Sequence, residues 1–213
     1  MEKAKPKEVA VIVAHPDDET LWAGGILLEH PEWQCFIICL SRKHDADRAP
    51  KFHKALDAFR ATGVMGDLDD GPEQWPLDQE EIEFAILELL PKSYYDLIIT
   101  HNPLGEYTRH LRHEEIGSAV LSLWKEGRLS SEELLVFAYE DGDRSYLPEA
   151  IKEADIYMEL PAQLWNLKYS IITDIYGFNR DSWEATVTPK AEAFWRFNKK
   201  RETMNGMEKQ STK

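Results

Sequence analysis

A chain of 213 residues, 43% of them apolar, sets 39 acidic side chains against 25 basic ones, for a formal net charge of −14. That charge repels phosphate backbones and anionic lipid, which argues against nucleic acid or a membrane surface as partner. No apolar run approaches the roughly 20 residues of a spanning helix.

The length suits one domain. Residues 1–8, opening MEKAKPKE, are expected as a flexible tail. They lack the apolar stretch of a secretory signal, which points to the cytoplasm. Residues 9–14 form an unbroken apolar run, read as a buried strand. His15-Pro16-Asp17-Asp18-Glu19 follows directly, and then Leu21, Trp22, Gly25 and Leu28 fall at helical spacing as far as His30-Pro31. Pro16 holds His15 extended, and the three acids sit where a helix start favours negative charge. Residues 34–41 form a second apolar run. Its even spacing puts Cys35 and Cys39 on one face as core thiols, since no second Cys/His pair lies nearby.

A charged loop over 41–50 leads to a predicted helix at 51–62, with Gly63 at its C-cap. A short strand at 64–68 enters the irregular stretch DLDDGPEQWPL. Residues 77–90 are amphipathic, with Asp78 as N-cap and Pro91 as terminator. A strand at 96–100, a polar loop at 101–109, a helix at 110–126 and a strand at 134–139 complete the alternation. The weaker pattern beyond reads as a strand at 156–160 and helices at 161–169 and 189–197, with a polar, disordered tail from 198. Alternation of strand and helix predicts an α/β domain over 9–197, with a mostly parallel sheet covered on both faces. Ligands gather at the carboxyl ends of such strands.

Two stretches place chemistry at that edge. His15, Asp17, Asp18 and Glu19 follow the first strand, and THNPLGEYTRHLRHEEIG follows the strand at 96–100. His110 and His113 are three apart, which turns both imidazoles to one side of a helix. His15, Asp18 and His113 supply two neutral nitrogens and a carboxylate oxygen, a set suited to Zn2+ with one position left for water. Another divalent ion such as Fe2+ accepts the same donors. Asp17, beside a ligand but not needed as one, suits a general base. His110 suits an oxyanion stabiliser or a proton donor to the leaving amine. Arg48, His101, Tyr107 and Arg109 lie on loops or element ends at this edge and are candidate substrate contacts. Singly, each residue has a plainer role as a helix-start charge, a loop cap or a surface ion pair. Their convergence on one edge is what marks a site.

AHPDDE after the first strand, paired with a later His-x-x-His, resembles the LmbE/PIG-L family of zinc-dependent N-acetylglucosaminyl deacetylases, over about residues 9 to 125. The resemblance implies a Rossmann-like fold and hydrolysis of an N-acetyl group from an amino sugar or its conjugate. It assigns metal ligation to His15, Asp18 and His113, the base to Asp17 and transition-state stabilisation to His110. Related folds often form homo-oligomers. Two departures stand out. The second motif reads His110-Leu111-Arg112-His113 where the family often has HPDH. The stretch RAPKFHK has no glutamate at the spacing of the family's usual Arg-x-x-Glu. They leave open a second reading on the same fold, a metal-binding or regulatory protein without turnover. A nucleotide-binding reading lacks G-x-G-x-x-G after strand one.

Overall fold

A computed structural model describes residues 5–198. In chain order the elements are β1 (Glu8–Val13), α1 (Asp18–Glu29), β2 (Gln34–Ser41), α2 (Arg48–Phe59), β3 (Thr62–Leu68), α3 (Gln79–Leu89), β4 (Tyr94–Thr100), α4 (Leu111–Glu126) and β5 (Ser130–Phe137). A small hairpin of β6 (Tyr139–Glu140) and β7 (Glu149–Ala150) follows, then β8 (Ile156–Glu159) and α5 (Ala162–Ser170). A π-helical turn (Ile171–Ile175), α6 (Trp183–Val187) and β9 (Ala191–Asn198) complete the fold.

The main sheet runs β3-β2-β1-β4-β5-β9-β8, parallel through its first five strands and antiparallel where β9 meets β5 and β8. This is the expected mostly parallel sheet. Its central strand is buried on both faces, and the two-residue pleat sorts its side chains. Val9, Val11 and Val13 pack on one side with Trp22 and Leu27 of α1 and Phe52 and Phe59 of α2. Ala10, Ile12 and Ala14 pack on the other with Ile82 and Ile86 of α3 and Ile116 and Val120 of α4. A one-residue slip would exchange these sets, so the register is well determined. Cys35 and Cys39 are free, buried thiols on the α1/α2 side.

From β1 the chain steps to β2 on one side, while β4 lies on the other. The strand order therefore reverses between β1 and β4, and the crevice at their carboxyl ends is where open α/β sheets place ligands. Thr100 Oγ1 donates to the Ile12 carbonyl at 2.9 Å and seals the two strands just below that crevice.

Three expectations are corrected. Residues 189–197 were expected as a helix, and Ala191–Asn198 is a strand. Ala and Glu favour helix locally, but Phe194 pairs with Phe137 and Trp195 with Val136, and burial in the sheet outweighs propensity. Gly63 was expected as a C-cap. Arg60 instead takes the left-handed cap (φ 54°), and Gly63 lies inside β3, where a Cβ would collide with the Ile37 carbonyl. The first strand begins at Glu8, so the expected tail loses its last residue. The tail from 198 lies, after Asn198, outside the described residues.

The segment after β5 is tied back to α1. Glu192 of β9 accepts the Gly25 and Ile26 amides at 2.6 and 2.8 Å and pairs with Lys168 at 2.7 Å, both side chains fully buried. Tyr176, just beyond the π-helical turn, donates its hydroxyl to Glu19 Oε1 at 2.7 Å. Among the described residues, no helix is long and apolar enough to cross a membrane.

Candidate metal centre and its cleft

His15 stands two residues beyond β1, and its backbone amide donates to Asp18 Oδ2 at 2.8 Å, which folds the turn onto the first residue of α1. Between them Asp17 holds φ 127°, a conformation that costs a side-chain-bearing residue about 1–3 kcal/mol. The turn is secured by its own contacts. The Asp17 amide donates to Glu19 Oε2 at 3.2 Å, and the Thr20 and Leu21 amides donate to the Asp17 carbonyl at 2.9 and 2.8 Å. Glu19 is fully buried, and burial lifts its carboxyl to about 7.

His110 is the extended N-cap residue of α4, and His113 lies in its first turn. His15 Nδ1 and Asp18 Oδ2 lie 3.2 Å apart, His15 Nδ1 and His113 Nε2 3.2 Å, and Asp18 Oδ2 and His113 Nε2 3.3 Å. A tetrahedral ion with bonds of roughly 2.0–2.1 Å needs its ligand atoms about 3.3 Å apart, so this triangle has the right edges for one. The protons agree. His15 Nε2 faces Asp70 Oδ1 at 3.0 Å, and His113 Nδ1 faces Glu106 Oε2 at 2.6 Å. With the rings neutral, each carboxylate accepts a hydrogen bond from the N–H at the far nitrogen, which leaves the near lone pairs converging beside an anionic oxygen. Three acceptors without a proton between them fit a cation.

His101 also lies close, with Nε2 3.4 Å from Asp18 Oδ2, and Asp18, His101 and His113 form a second possible donor set. Its Nε2 lone pair, however, already receives the Ala14 amide at 3.0 Å. His101 Nδ1 then donates to Glu106 at 3.1 Å, which makes the ring a support for the turn. His15, His110 and His113 bring one ring nitrogen each to within 4.8 Å of one another, a looser set.

A cleft of about 360 Å³ opens above the triangle, lined in part by Asp17, Arg42, Arg48, Asp70, Tyr107 and Trp183. Burial and the adjacent Asp18 charge push the Asp17 carboxyl well above the usual range, while Arg48, 3.3 Å away, pulls it down. Burial would raise Asp18 too, but the imidazoles of His113 and His101 hold it well below the usual range. Burial and the His113 and His15 rings lower His110 to about 3, so its ring is neutral near pH 7. That ring stacks on His113 with centroids 4.1 Å apart, and its buried Nδ1 has no hydrogen-bond partner among the described residues. Two adjacent carboxylates with opposite shifts are a familiar mark of divided chemical roles.

Four residues were expected to contact substrate. Arg48 and Tyr107 line the cleft, with Arg48 also lying 4.3 Å from the Phe178 ring centre. His101 does not reach it, being fully buried behind the turn. Arg109 does not reach it either. It pairs with Glu114 at 2.8 Å on an adjoining groove with Arg144 and Tyr146. Asp70, Glu106, Arg42 and Trp183 were not singled out from sequence. Asp70 and Glu106 sit in polar loops whose acids all look alike until the fold sets two of them against imidazoles.

The family described as PIG-L, GlcNAc-PI de-N-acetylase, matches residues 10–124, which span both motif loops. An uncharacterized protein of Acanthamoeba polyphaga mimivirus is 25% identical over 129 residues, 53% of this chain and 56% of that protein. The match thus spans little more than half of that curated relative. Among solved structures, the N,N'-diacetylchitobiose deacetylase from Pyrococcus horikoshii has a TM-score of 0.69 at 14% identity, covering 90% of this chain and 84% of that one. A deacetylase of teicoplanin biosynthesis has a TM-score of 0.59 at 15% identity, covering 89% and 97%. A 4-carboxy-2-hydroxymuconate hydratase from Pseudomonas putida has a TM-score of 0.57 at 14% identity, covering 89% and 95%. At these identities the likeness is one of fold, and the fold carries more than one reaction.

Proposed function

This chain belongs to the PIG-L family of GlcNAc-PI de-N-acetylases, and from that premise we propose that it is a metal-dependent hydrolase that removes an N-acyl group, acetyl first, from an amino sugar or sugar conjugate. The single observation that supports this reading most is the triangle of His15 Nδ1, Asp18 Oδ2 and His113 Nε2, with edges of 3.2–3.3 Å beside the buried carboxyl of Asp17.

These three atoms would hold Zn2+, or another divalent ion such as Fe2+. When bound, such an ion supplies Lewis-acid polarisation of an amide carbonyl and makes a water easier to deprotonate. Asp17 takes the proton of the attacking water, a task suited to a carboxyl that burial and the adjacent Asp18 raise well above the usual range. His110, kept neutral by burial, stabilises charge on the developing oxyanion. Asp17 then returns its proton to the departing amine. Tyr107 and Trp183 pack against each other with ring centres 5.0 Å apart and offer apolar surface to a sugar ring, while Arg48 and Arg42 offer donors to hydroxyls.

A second reading keeps the metal and drops the turnover. It is favoured by the Arg48 guanidinium lying 3.3 Å from Asp17 Oδ2, which occupies the candidate base. Elemental analysis of protein purified without chelator, followed by amine release from a panel of N-acetylated sugars and conjugates, separates the readings. The hydrolase reading expects a stoichiometric divalent metal and amine release from at least one panel member. Bound metal with no amine released by the metal-replete protein leaves the second reading, and no bound metal removes both.

A further inference from the structure

The carboxylates behind His15 and His113 arrive by different routes. Glu106 lies seven residues before His113 on the same loop-to-helix connection. Asp70 comes from residues 69–78, a stretch between β3 and α3 that contains neither helix nor strand. A loop of that length holds one conformation only where side chains outside it tie it down.

The ties come from α4. Arg112 Nη2 donates to the Trp75 carbonyl at 3.2 Å, and the Leu77 amide donates to Glu115 Oε1 at 3.0 Å. Arg112 and Glu115 are themselves an ion pair. Next to this anchor, Gln74 Nε2 donates to Asp70 Oδ1 at 3.0 Å, the oxygen that faces His15 Nε2. Arg42 grips the other oxygen, Oδ2, through Nε at 2.9 Å and Nη2 at 2.7 Å. The chain of contacts therefore runs from Arg112 through Trp75, Gln74 and Asp70 to the far nitrogen of His15.

Arg112 is fully buried, although it stands in the first turn of a helix beside a polar cleft. Burying a guanidinium is costly unless its hydrogen bonds offset the lost hydration, and an apolar side chain would fill the space without that cost. Its two Nη groups donate to Glu115 and to one backbone carbonyl of the loop, while its buried Nε has no hydrogen-bond partner among the described residues. This residue sits between His110 and His113.

We propose that Arg112 is a positioning residue that clamps residues 69–78 and so delivers Asp70 to His15, fixing the proton on Nε2 and leaving Nδ1 free for a cation. The role of His15 as a ligand rests on the function proposed above, whereas its tautomer does not.

Two measurements test this. The first is the tautomer of the neutral His15 ring, read by long-range 1H–15N NMR on metal-free protein at alkaline pH. Wild type is expected to carry its proton on Nε2, while Arg112→Met and Asp70→Asn are expected to give a mixture. An unchanged tautomer in Arg112→Met overturns the proposal. The second is Zn2+ affinity by competition with a chromophoric chelator. Asp70→Asn is expected to weaken binding about 10–100-fold, Arg112→Met to weaken it in the same sense, and the double variant to be no weaker than Asp70→Asn alone. Losses that multiply overturn the proposal, because Arg112 then acts elsewhere. If Arg112→Met fails to fold, Glu115→Gln removes the ion pair and keeps an acceptor for the Leu77 amide. It is expected to show the same tautomer mixture, and a wild-type tautomer there overturns the clamp. Wild type that shows the Nε2 proton but binds no Zn2+ would sink the metal reading and leave the clamp standing.

Discussion

Glu106 Oε2 lies 2.6 Å from His113 Nδ1 and 3.1 Å from His101 Nδ1, and the Glu106 and His101 side chains are fully buried. One carboxylate thus orients a candidate ligand and the ring that receives the Ala14 amide at the end of β1. The floor of the site is a shared hydrogen-bond unit, and disturbing Glu106 should be felt by both rings.

Burial alone would raise the Glu106 carboxyl, but the flanking His101 and His113 hold it down to about 2. A carboxyl lowered on folding contributes stability that is complete above its unfolded value of 4.5 and is lost as pH falls toward 2. Metal-free Glu106→Gln should therefore lose the part of the acid-induced fall in stability that wild type shows in this window. Urea midpoints measured across pH 2–5 check it, and parallel curves for the two proteins would refute the assignment.

Asp17→Asn keeps the shape of the turn and removes the proton acceptor. Metal content is expected to stay stoichiometric while kcat falls by about 10²–10⁴, the usual contribution of a positioned base. Full turnover in this variant would end the role given to Asp17.

Arg48 lowers the Asp17 carboxyl, against the upward push of burial and of Asp18. Arg48→Gln should let that carboxyl rise. Because the base works deprotonated, the acid limb of the kcat/KM profile should move to higher pH. An acid limb that stays put, or moves to lower pH, would show that another group controls it.

Gly25 lies where α1 meets the segment after β5. A Cβ there would come within 2.8 Å of Leu160 Cδ1 and 2.9 Å of Glu192 Cδ, while Glu192 still has to accept the Gly25 and Ile26 amides. Gly25→Ala is expected to destabilise the fold by about 1–3 kcal/mol, although alanine is the better helix former. Chemical denaturation reads the difference, and a stabilised variant would mean that the contact is looser than described.

The local signals were plain in the chain. Periodicity and short apolar runs marked the strands through β5, and the HPDDE turn and the His-x-x-His pair each followed one of them. Those residues carry their meaning locally, because a strand end followed by a helix start dictates where such side chains stand. The last strand was not legible, since Ala191, Glu192 and Ala193 favour helix until β5 offers its edge. Nor was it legible that His101 turns inward while Tyr107, six residues on, lines the cleft.

What the sequence by itself determined was the alternating α/β order and the donor types at one sheet edge, because both follow from side-chain period and residue chemistry over a few neighbours. What only the tertiary structure decided was which nitrogen of each imidazole is free, since that depends on Asp70 and Glu106, fifty-five and seven residues away from the rings they face. A hydrogen bond is chosen by distance in space, and distance in space is what a linear chain does not record.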